Sequence, residues 1–144
     1  MANIIKVSEA TALAFHAITI IASDPEQTFS ARDMADKLAA SYDHLVKVLQ
    51  RLQKDGFIES VRGPKGGFKL LKSADETTLY DIFRTIEGDI DTHNCLFYKP
   101  VCKFNKCFFG DIIGKLRKQL LEYLENTTIS QVLVDGKEML NELM

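Results

Sequence analysis

The chain has 144 residues, of which 46% are hydrophobic and 26% are charged, and its formal net charge is −2. This length fits one domain, or one domain with an appended dimerisation element, and the composition is sufficient for a core and a solvated surface. No apolar run approaches the roughly 18 residues that a membrane helix needs, and Met1–Ile21 lacks the pattern of a signal peptide. The sequence therefore predicts a cytoplasmic protein with no membrane segment.

Three helices are predicted in the first part of the chain. Ser8, Ser30 and Ser41 each precede apolar residues at helical spacing, and serine is a favoured residue at a helix N-terminus. Ser23–Pro25 breaks the first helix, and Gly56 ends the third. The second and third helices are short and joined by a tight turn, an arrangement typical of a helix-turn-helix unit.

The hydrophobic period then changes from that of helices to that of strands. Phe57–Val61 and Phe68–Leu71 are predicted as two short strands of a hairpin with a glycine-rich turn. A fourth helix ends at Gly88, a long last helix begins near Asp111, and Thr127–Met144 is expected to form a short helical tail. The predicted fold is mainly α with a small β-hairpin wing, a winged helix-turn-helix followed by a long C-terminal helix.

Positive charge is concentrated between His44 and Lys72. Seven cations and two anions give this segment a net charge of +5, so the rest of the chain carries −7. A basic segment on an acidic protein is typical of a localised phosphate-binding face. A merely solvated surface would have the same composition, so charge alone does not decide between the two.

The third helix and the hairpin supply the candidate DNA contacts. The third helix is expected to bury a stripe of leucine and valine and to present polar side chains to base edges and phosphates in the major groove. The hairpin tip suits the DNA backbone or minor groove, because its glycines allow close approach and its cations attract phosphates. The predicted DNA-binding residues are Ser41, Tyr42, His44, Lys47, Arg51, Arg62, Gly63, Lys65 and Gly66.

All three cysteines fall between Cys95 and Cys107. An odd number of closely spaced thiols in a cytosolic chain argues against a disulfide framework and for metal or redox chemistry. Six residues separate Cys95 from Cys102 and four separate Cys102 from Cys107, which matches neither zinc knuckles nor ferredoxins. Thiolates bind iron–sulfur clusters, zinc or copper(I), so the spacing leaves the metal open, and three unreactive thiols would show the same spacing.

Ser41–Leu52 and Val61–Phe68, with an Arg-Gly-Pro-Lys-Gly-Gly wing as the most specific motif, resemble the Rrf2 family of bacterial transcription regulators. The resemblance spans most of the chain, from the first helix through the cysteines to the long last helix. It implies a homodimer held by the helix at about Asp111–Asn126, with the wings gripping a pseudo-palindromic operator of double-stranded DNA. The apolar stripe of that helix could equally pack within its own subunit.

The family resemblance also implies a cofactor. In the iron–sulfur sensors of the family, three cysteines after the fourth helix hold a cluster, for which we expect the 2Fe–2S type rather than 4Fe–4S. The resemblance gives this ligand role to Cys95, Cys102 and Cys107. Some members add a histidine three residues beyond the last cysteine, where this chain has Gly110, and others use an acidic residue at the start of the first helix, where it has Glu9. Glu9 could instead simply stabilise the helix N-terminus, and His93 is a weaker candidate ligand.

These observations predict three parts: a DNA-binding domain (residues 1–88), a cluster-binding loop (89–109) and a dimerisation helix with a tail (110–144). The predicted function is transcription regulation in response to redox state, nitric oxide or iron–sulfur status. The alternative is a cluster-free regulator whose cysteines bind zinc or sense redox state as thiols. An enzyme is not expected, because no catalytic constellation accompanies the cysteines.

Overall fold

The computed structural model of the chain describes residues 7–92, 95 and 101–136. These residues form, in order, α1 (Glu9–Ala22), α2 (Ala31–Lys37), α3 (Tyr42–Lys54), β1 (Ile58–Val61), β2 (Gly67–Leu70), α4 (Leu79–Glu87), α5 (Ile112–Asn126) and α6 (Ile129–Asp135). The mainly helical architecture with one antiparallel hairpin confirms the predicted fold class. Within these ranges, no helix has both the length and the apolar character needed to cross a membrane.

α1 is the central helix of the core. Eight of its 14 residues are buried, and it contacts α3, α4, α6 and β2. A helix that is enclosed on several sides has no need of a single apolar stripe. Ala14 and Ala17 are fully buried, which lets neighbouring elements approach closely. The largest buried side chains around α1 are Met34, Leu45, Leu49, Leu52, Ile58, Ile82 and Ile129.

The predicted serine caps begin the first three helices. Ser8, Ser30 and Ser41 each accept a hydrogen bond from the backbone N–H three residues further on, at 3.2, 3.0 and 3.4 Å respectively. These bonds satisfy N–H groups that have no partner within the helix. α4 begins at a reciprocal capping box between Thr78 and Asp81, which sequence reasoning did not identify.

The hairpin is joined to the segment that precedes α2. Ile58 pairs with Leu70 and Val61 with Gly67 in the antiparallel ladder. Phe29 extends this ladder by one bridge, because its N–H donates to the Phe68 carbonyl at 3.0 Å and its carbonyl accepts from the Phe68 N–H at 2.8 Å. The wing is therefore held at its base by α3 and along one edge by the chain that leads into α2.

α6 packs back onto the core of the same subunit. Thr78 and Thr128 form an antiparallel bridge, and the Ile129 N–H donates to the Thr77 carbonyl at 2.9 Å. Ile129 is fully buried, and α6 contacts α1. α6 occupies part of the predicted helical tail, of which residues 137–144 lie outside the described residues.

The apolar stripe of α5 divides between two environments. Leu124 is buried and Leu120 packs against the core, so part of the stripe is used within the subunit. Ile112, Leu116 and Tyr123 are instead 46%, 37% and 62% exposed. Their spacing places them along one side of the helix. Both uses that the sequence left open for this helix are therefore compatible with its geometry.

Candidate nucleic-acid interface

α3 is strongly amphipathic. Its buried residues are Leu45, Val48, Leu49 and Leu52. Because these occupy one side, Tyr42, Lys47 and Arg51 are exposed on the others, and His44 is half-buried. Ser41 is exposed, but its hydroxyl already caps the helix. The predicted contact residues of α3 thus lie on a polar surface that is open to a ligand.

The turn between α2 and α3 contains a left-handed residue. Ala39 has a φ of 49°, and the following Ala40 N–H donates to the Ala35 carbonyl at 2.9 Å. A left-handed conformation costs a residue with a β-carbon about 1–2 kcal/mol. Half-buried Leu38 and Ala40 pack against the core on either side of the turn and hold it in place. Packing therefore fixes the angle between the two helices.

The tip of the wing depends on glycine. Gly63 has a φ of +120°, and the Gly66 N–H donates to the Gly63 carbonyl at 2.9 Å. A β-carbon at Gly66 would overlap the carbonyl oxygen of Val61, so no other residue fits there without a shift. Arg62 and Lys65 are exposed on this tight turn. The tip therefore presents bare backbone flanked by two cations.

The wing tip is also bonded to the segment before α2. The Thr28 hydroxyl donates to the Lys65 carbonyl at 2.5 Å, one residue before the Phe29–Phe68 bridge. At the other side of the hairpin, the Gln53 amide donates to the Ser60 hydroxyl at 3.3 Å. The wing is thus connected both to the start of α2 and to the end of α3, so the three elements form one surface.

Arg32 belongs to this surface and was missed by sequence reasoning. Its guanidinium carbon lies 4.4 Å from the centroid of the Tyr42 ring. Arg32 stands outside the basic segment His44–Lys72, so local charge did not single it out. The signal that could have found it is an exposed cation on the first helix of a helix-turn-helix, the helix that crosses the DNA backbone in such units.

Arg51 has a structural contact in addition to its exposure. Its guanidinium donates to the Ile86 carbonyl at 3.3 Å, and the Thr85 hydroxyl donates to the Asp55 carboxylate at 2.8 Å. The C-terminal end of α3 is therefore fastened to the C-terminal end of α4. A guanidinium has five N–H donors, so this bond leaves others for a phosphate.

Polar contacts fasten the segment after α4 to its neighbours. The Tyr80 hydroxyl donates to the Asp89 carboxylate at 3.0 Å, and burial, followed by this bond, raises the pKa of Tyr80 above its ordinary value. Arg117 of α5 lies 3.9 Å from the Asp91 carboxylate and 3.5 Å from the Cys95 carbonyl. The residues leading to Cys95 are therefore joined to both α4 and α5.

The three cysteines are not gathered at one point. Cys95 is half-buried, whereas Cys102 and Cys107 are exposed. In residues 7–92, 95 and 101–136, no three histidine, cysteine or acidic side chains form a group that could hold a metal ion. The thiols are suitable donors for an iron–sulfur cluster, but this arrangement does not converge on one. His93 lies outside the described residues.

Two carboxylates lie near the start of α1, and only one was predicted. Glu9 is exposed in the first turn. Glu87, the last residue of α4, accepts a hydrogen bond from the Ser8 N–H at 3.0 Å and another from the buried Thr11 hydroxyl at 2.5 Å. Glu87 therefore joins the end of α4 to the start of α1. No short-range pattern reveals this contact, because Ser8 and Glu87 are 79 positions apart in the sequence.

Comparisons with known proteins agree with this architecture. The family model Rrf2, described as an iron-dependent transcriptional regulator, matches residues 7–135. The HTH-type transcriptional regulator IscR of Pectobacterium atrosepticum is 28% identical over 109 residues, which cover 76% of this chain and 66% of the relative. The matched segment thus spans slightly less than two thirds of that relative.

Two solved structures share the fold over almost their whole length. The structure of CymR, the global cysteine regulator of B. subtilis, has a TM-score of 0.75 at 23% identity and covers 90% of this chain and 96% of its own. That of T. potens IscR has a TM-score of 0.74 at 26% identity, with coverages of 94% and 90%. These relatives are regulators rather than enzymes, as the sequence predicted. Because the family model matches most of the chain, the protein belongs to the Rrf2 family of iron-dependent transcriptional regulators.

Proposed function

We propose that the protein regulates transcription by binding double-stranded operator DNA as a homodimer. The observation that carries this proposal is the amphipathic α3, whose polar face is exposed and whose end is bonded to a glycine-rich wing bearing Arg62 and Lys65. In this arrangement α3 enters the major groove, and the wing lies on the backbone or in the adjacent minor groove. Such binding places the protein in the cytoplasm, where bacterial DNA lies.

Electrostatics and sequence reading are divided between different parts of this surface. The wing cations and Lys47 contact phosphates, which gives affinity that falls as salt rises. The first turn of α3, with His44, is placed to reach base edges, which gives specificity. Gly63 and Gly66 allow the wing backbone itself to approach the DNA closely.

A dimer fits the exposed row on α5. Ile112, Leu116 and Tyr123 are apolar or aromatic, lie along one side of the helix and are exposed in the single chain. Pairing two such rows about a two-fold axis buries them, and the operator then has matching symmetry. Its two half-sites would be centred about one helical turn, or about 34–36 Å, apart.

The operator can be found by selection from a library of randomised duplexes. We expect a pseudo-palindromic sequence, bound by a dimer, with an affinity that falls steeply with salt concentration. Replacing both Arg62 and Lys65 by Ala should weaken binding, whereas Lys118→Ala, which removes an exposed cation of α5, should not. Recovery of no preferred sequence, or equal effects of the two variants, would contradict the proposal.

We further propose that the cysteine segment, residues 89–109, is the sensing part of the protein. The proposed ligands of an iron–sulfur cluster are Cys95, Cys102 and Cys107, with Glu9 of the partner subunit as the fourth. Support comes from the soft donor chemistry of the three thiols and from the iron dependence in the family description. A bound cluster would supply a redox-active and labile inorganic centre. Since no three donors among the described residues are grouped so as to hold a metal ion, binding would require the three thiols to come together.

Polar contacts offer a route from this segment to α3. Arg117 contacts Asp91 and the Cys95 carbonyl, and Asp89 accepts a hydrogen bond from Tyr80 of α4. α4 in turn is fastened to α3 through the Arg51–Ile86 bond. A change in the segment can therefore bias the position of the recognition helix, provided that it favours one of two geometries.

A cluster-free mode of sensing is the second candidate. The exposure of Cys102 and Cys107 favours it, because exposed thiols are accessible to oxidants and to zinc. Anaerobic purification separates the two candidates. A wild-type protein that contains iron and sulfide and absorbs visible light, and that loses all three in Cys102→Ala, indicates a cluster. A colourless protein with zinc or oxidisable thiols indicates the alternative. Cys102→Ala with unchanged operator affinity under every redox condition would contradict both forms of coupling.

A further inference from the structure

At the proposed DNA surface, the guanidinium of Arg32 lies over the aromatic ring of Tyr42. Arg32 is the second residue of α2, and Tyr42 is the first residue of α3. The guanidinium carbon of Arg32 lies 4.4 Å from the ring centroid of Tyr42, well inside the roughly 6 Å limit for a cation–π interaction. Both side chains are exposed, and Tyr42 is 39% accessible. The contact thus forms on the surface and not within the core.

The Arg32 guanidinium keeps its hydrogen-bond donors. Its attraction to the ring is electrostatic and needs no N–H···O bond, so the contact leaves its five N–H donors available. Across the described parts of the chain, the ion pairs join other residues, and Arg32 takes part in none of them. An arginine whose role was to stabilise the fold through a carboxylate would be paired. Arg32 instead presents its N–H donors to the solvent from a position set by the Tyr42 ring.

The position of Arg32 is continuous with the wing. Four residues earlier, the Thr28 hydroxyl donates to the Lys65 carbonyl at 2.5 Å, and Phe29 bridges to Phe68. The chain that enters α2 is therefore bonded to the wing tip, while Arg32 itself touches the first residue of α3. Arg32 is thus placed where the wing, α2 and α3 meet.

We propose that Arg32 binds a phosphodiester of the operator backbone and that Tyr42 positions it. This inference rests on the proposed function, to which it adds a contact on the first helix of the helix-turn-helix. A phosphate fits because a guanidinium binds its oxygens in a bidentate manner. Tyr42 was predicted as a direct DNA contact, and the geometry gives its ring the role of a support. The contact carries no sequence information, since every phosphate is alike.

The test measures binding by fluorescence anisotropy, at a series of salt concentrations, on a selected operator and on a 30-bp duplex of unrelated sequence. Arg32→Ala should weaken binding about five- to tenfold on both duplexes. It should also reduce the slope of log affinity against log salt by about 0.9, the value for one lost phosphate contact. Lys118→Ala, on α5, is the matched control and should leave both slopes unchanged.

Variants of Tyr42 test the supporting role. Tyr42→Phe keeps the ring and should leave the contact intact, whereas Tyr42→Leu should weaken binding by part of the Arg32→Ala effect. In the Arg32→Ala background, Tyr42→Leu should add little, because the two residues act as one unit. Additive losses would show that Tyr42 contacts DNA independently and would overturn the positioning role. Thermal unfolding of each variant checks that the fold is retained.

The outcomes separate this inference from the proposed function. The Arg32 assignment alone is overturned if Arg32→Ala leaves the slope of log affinity against log salt unchanged while the double variant of Arg62 and Lys65 still weakens DNA binding. A loss confined to the operator would show a base contact and would overturn the phosphate assignment. Wild-type protein that bound neither duplex would overturn the proposed function, and this inference with it.

Discussion

The helix-turn-helix with its wing and the segment that carries the cysteines differ in how they use apolar residues. In the first region, Leu45, Leu49 and Leu52 are fully buried by contacts within one chain. In the second, Val101, Phe104 and Phe108 are 64%, 68% and 85% exposed, although the two phenylalanine rings lie 5.4 Å apart. The apolar core of the first region is thus buried within a single chain. The second has the apolar content of an interaction surface.

The largest expected effect contrasts one side chain from each region. Leu49→Ala should lower the free energy of unfolding by about 2–5 kcal/mol, because it leaves a cavity in a close-packed core. Phe108→Ala should change it by no more than about 0.5 kcal/mol, because its ring is already in water. Denaturant unfolding at fixed protein concentration measures both. Equal losses would mean that Phe108 is buried in the folded assembly, and the contrast between the regions would then fail.

The contrast also explains what could be predicted from the sequence. Ser8, Ser30 and Ser41 were predicted as caps because each acts on a backbone N–H three residues away. The α3 stripe follows from helical periodicity in the same way. Such short-range signals define the elements of the first region. The glycine-rich wing was predictable because glycine identifies a tight turn wherever it lies in the fold.

Contacts between distant parts of the chain were not predictable in this way. Glu87 meets the start of α1, and Thr128 before α6 bridges to Thr78 before α4, only because these elements fold around α1. Arg32 reaches Tyr42 because of the angle between α2 and α3, which is set by the left-handed backbone of Ala39. The sequence does not indicate this conformation, because the position is not a glycine. The three cysteines indicated thiolates as the ligand type, but their spacing in the sequence did not indicate where the thiols lie relative to one another. The ligand roles of the three cysteines and Glu9 remain predictions.

A second pair of variants tests the wing within the first region. A β-carbon at Gly67 would lie 2.5 Å from the Phe29 carbonyl oxygen, so Gly67→Ala should cost about 1–3 kcal/mol and displace the wing from its bridge. At Gly63 a β-carbon meets nothing within 4 Å, so Gly63→Ala should cost about 1–3 kcal/mol through its φ of +120° alone and should leave the bridge in place. Thermal unfolding measures both losses of stability, and hydrogen exchange at the bridged amides of Phe29 and Phe68 should speed up only in Gly67→Ala. Unchanged exchange at these amides in Gly67→Ala would show that this glycine is not needed for the bridge.

A third pair compares a structural carboxylate of α4 with a proposed ligand in α1, both of which lie at the first turn of α1. Glu87→Ala removes the acceptor for the Ser8 N–H and for the buried Thr11 hydroxyl, and should cost about 1–3 kcal/mol of stability. Glu9→Ala removes only an exposed charge near a helix N-terminus and should cost no more than about 1 kcal/mol. If Glu9 is a ligand, its loss should instead shorten the lifetime of the visible absorbance in air. A Glu9→Ala protein as unstable as Glu87→Ala would give Glu9 a role in the fold.

The smallest expected effect lies at Tyr80 of α4, which contacts the start of the cysteine segment. Burial, and then the hydrogen bond to Asp89, raise the pKa of Tyr80 above its value in the unfolded chain. The stability that this group contributes is therefore fully present below the unfolded pKa of about 10 and is lost as the pH rises through the folded pKa. Tyr80→Phe lacks this titration, so between pH 8 and pH 11 it should lose slightly less stability than the wild type does. Parallel pH profiles for the two proteins would show that the Tyr80–Asp89 bond does not fasten the cysteine segment to α4 in solution.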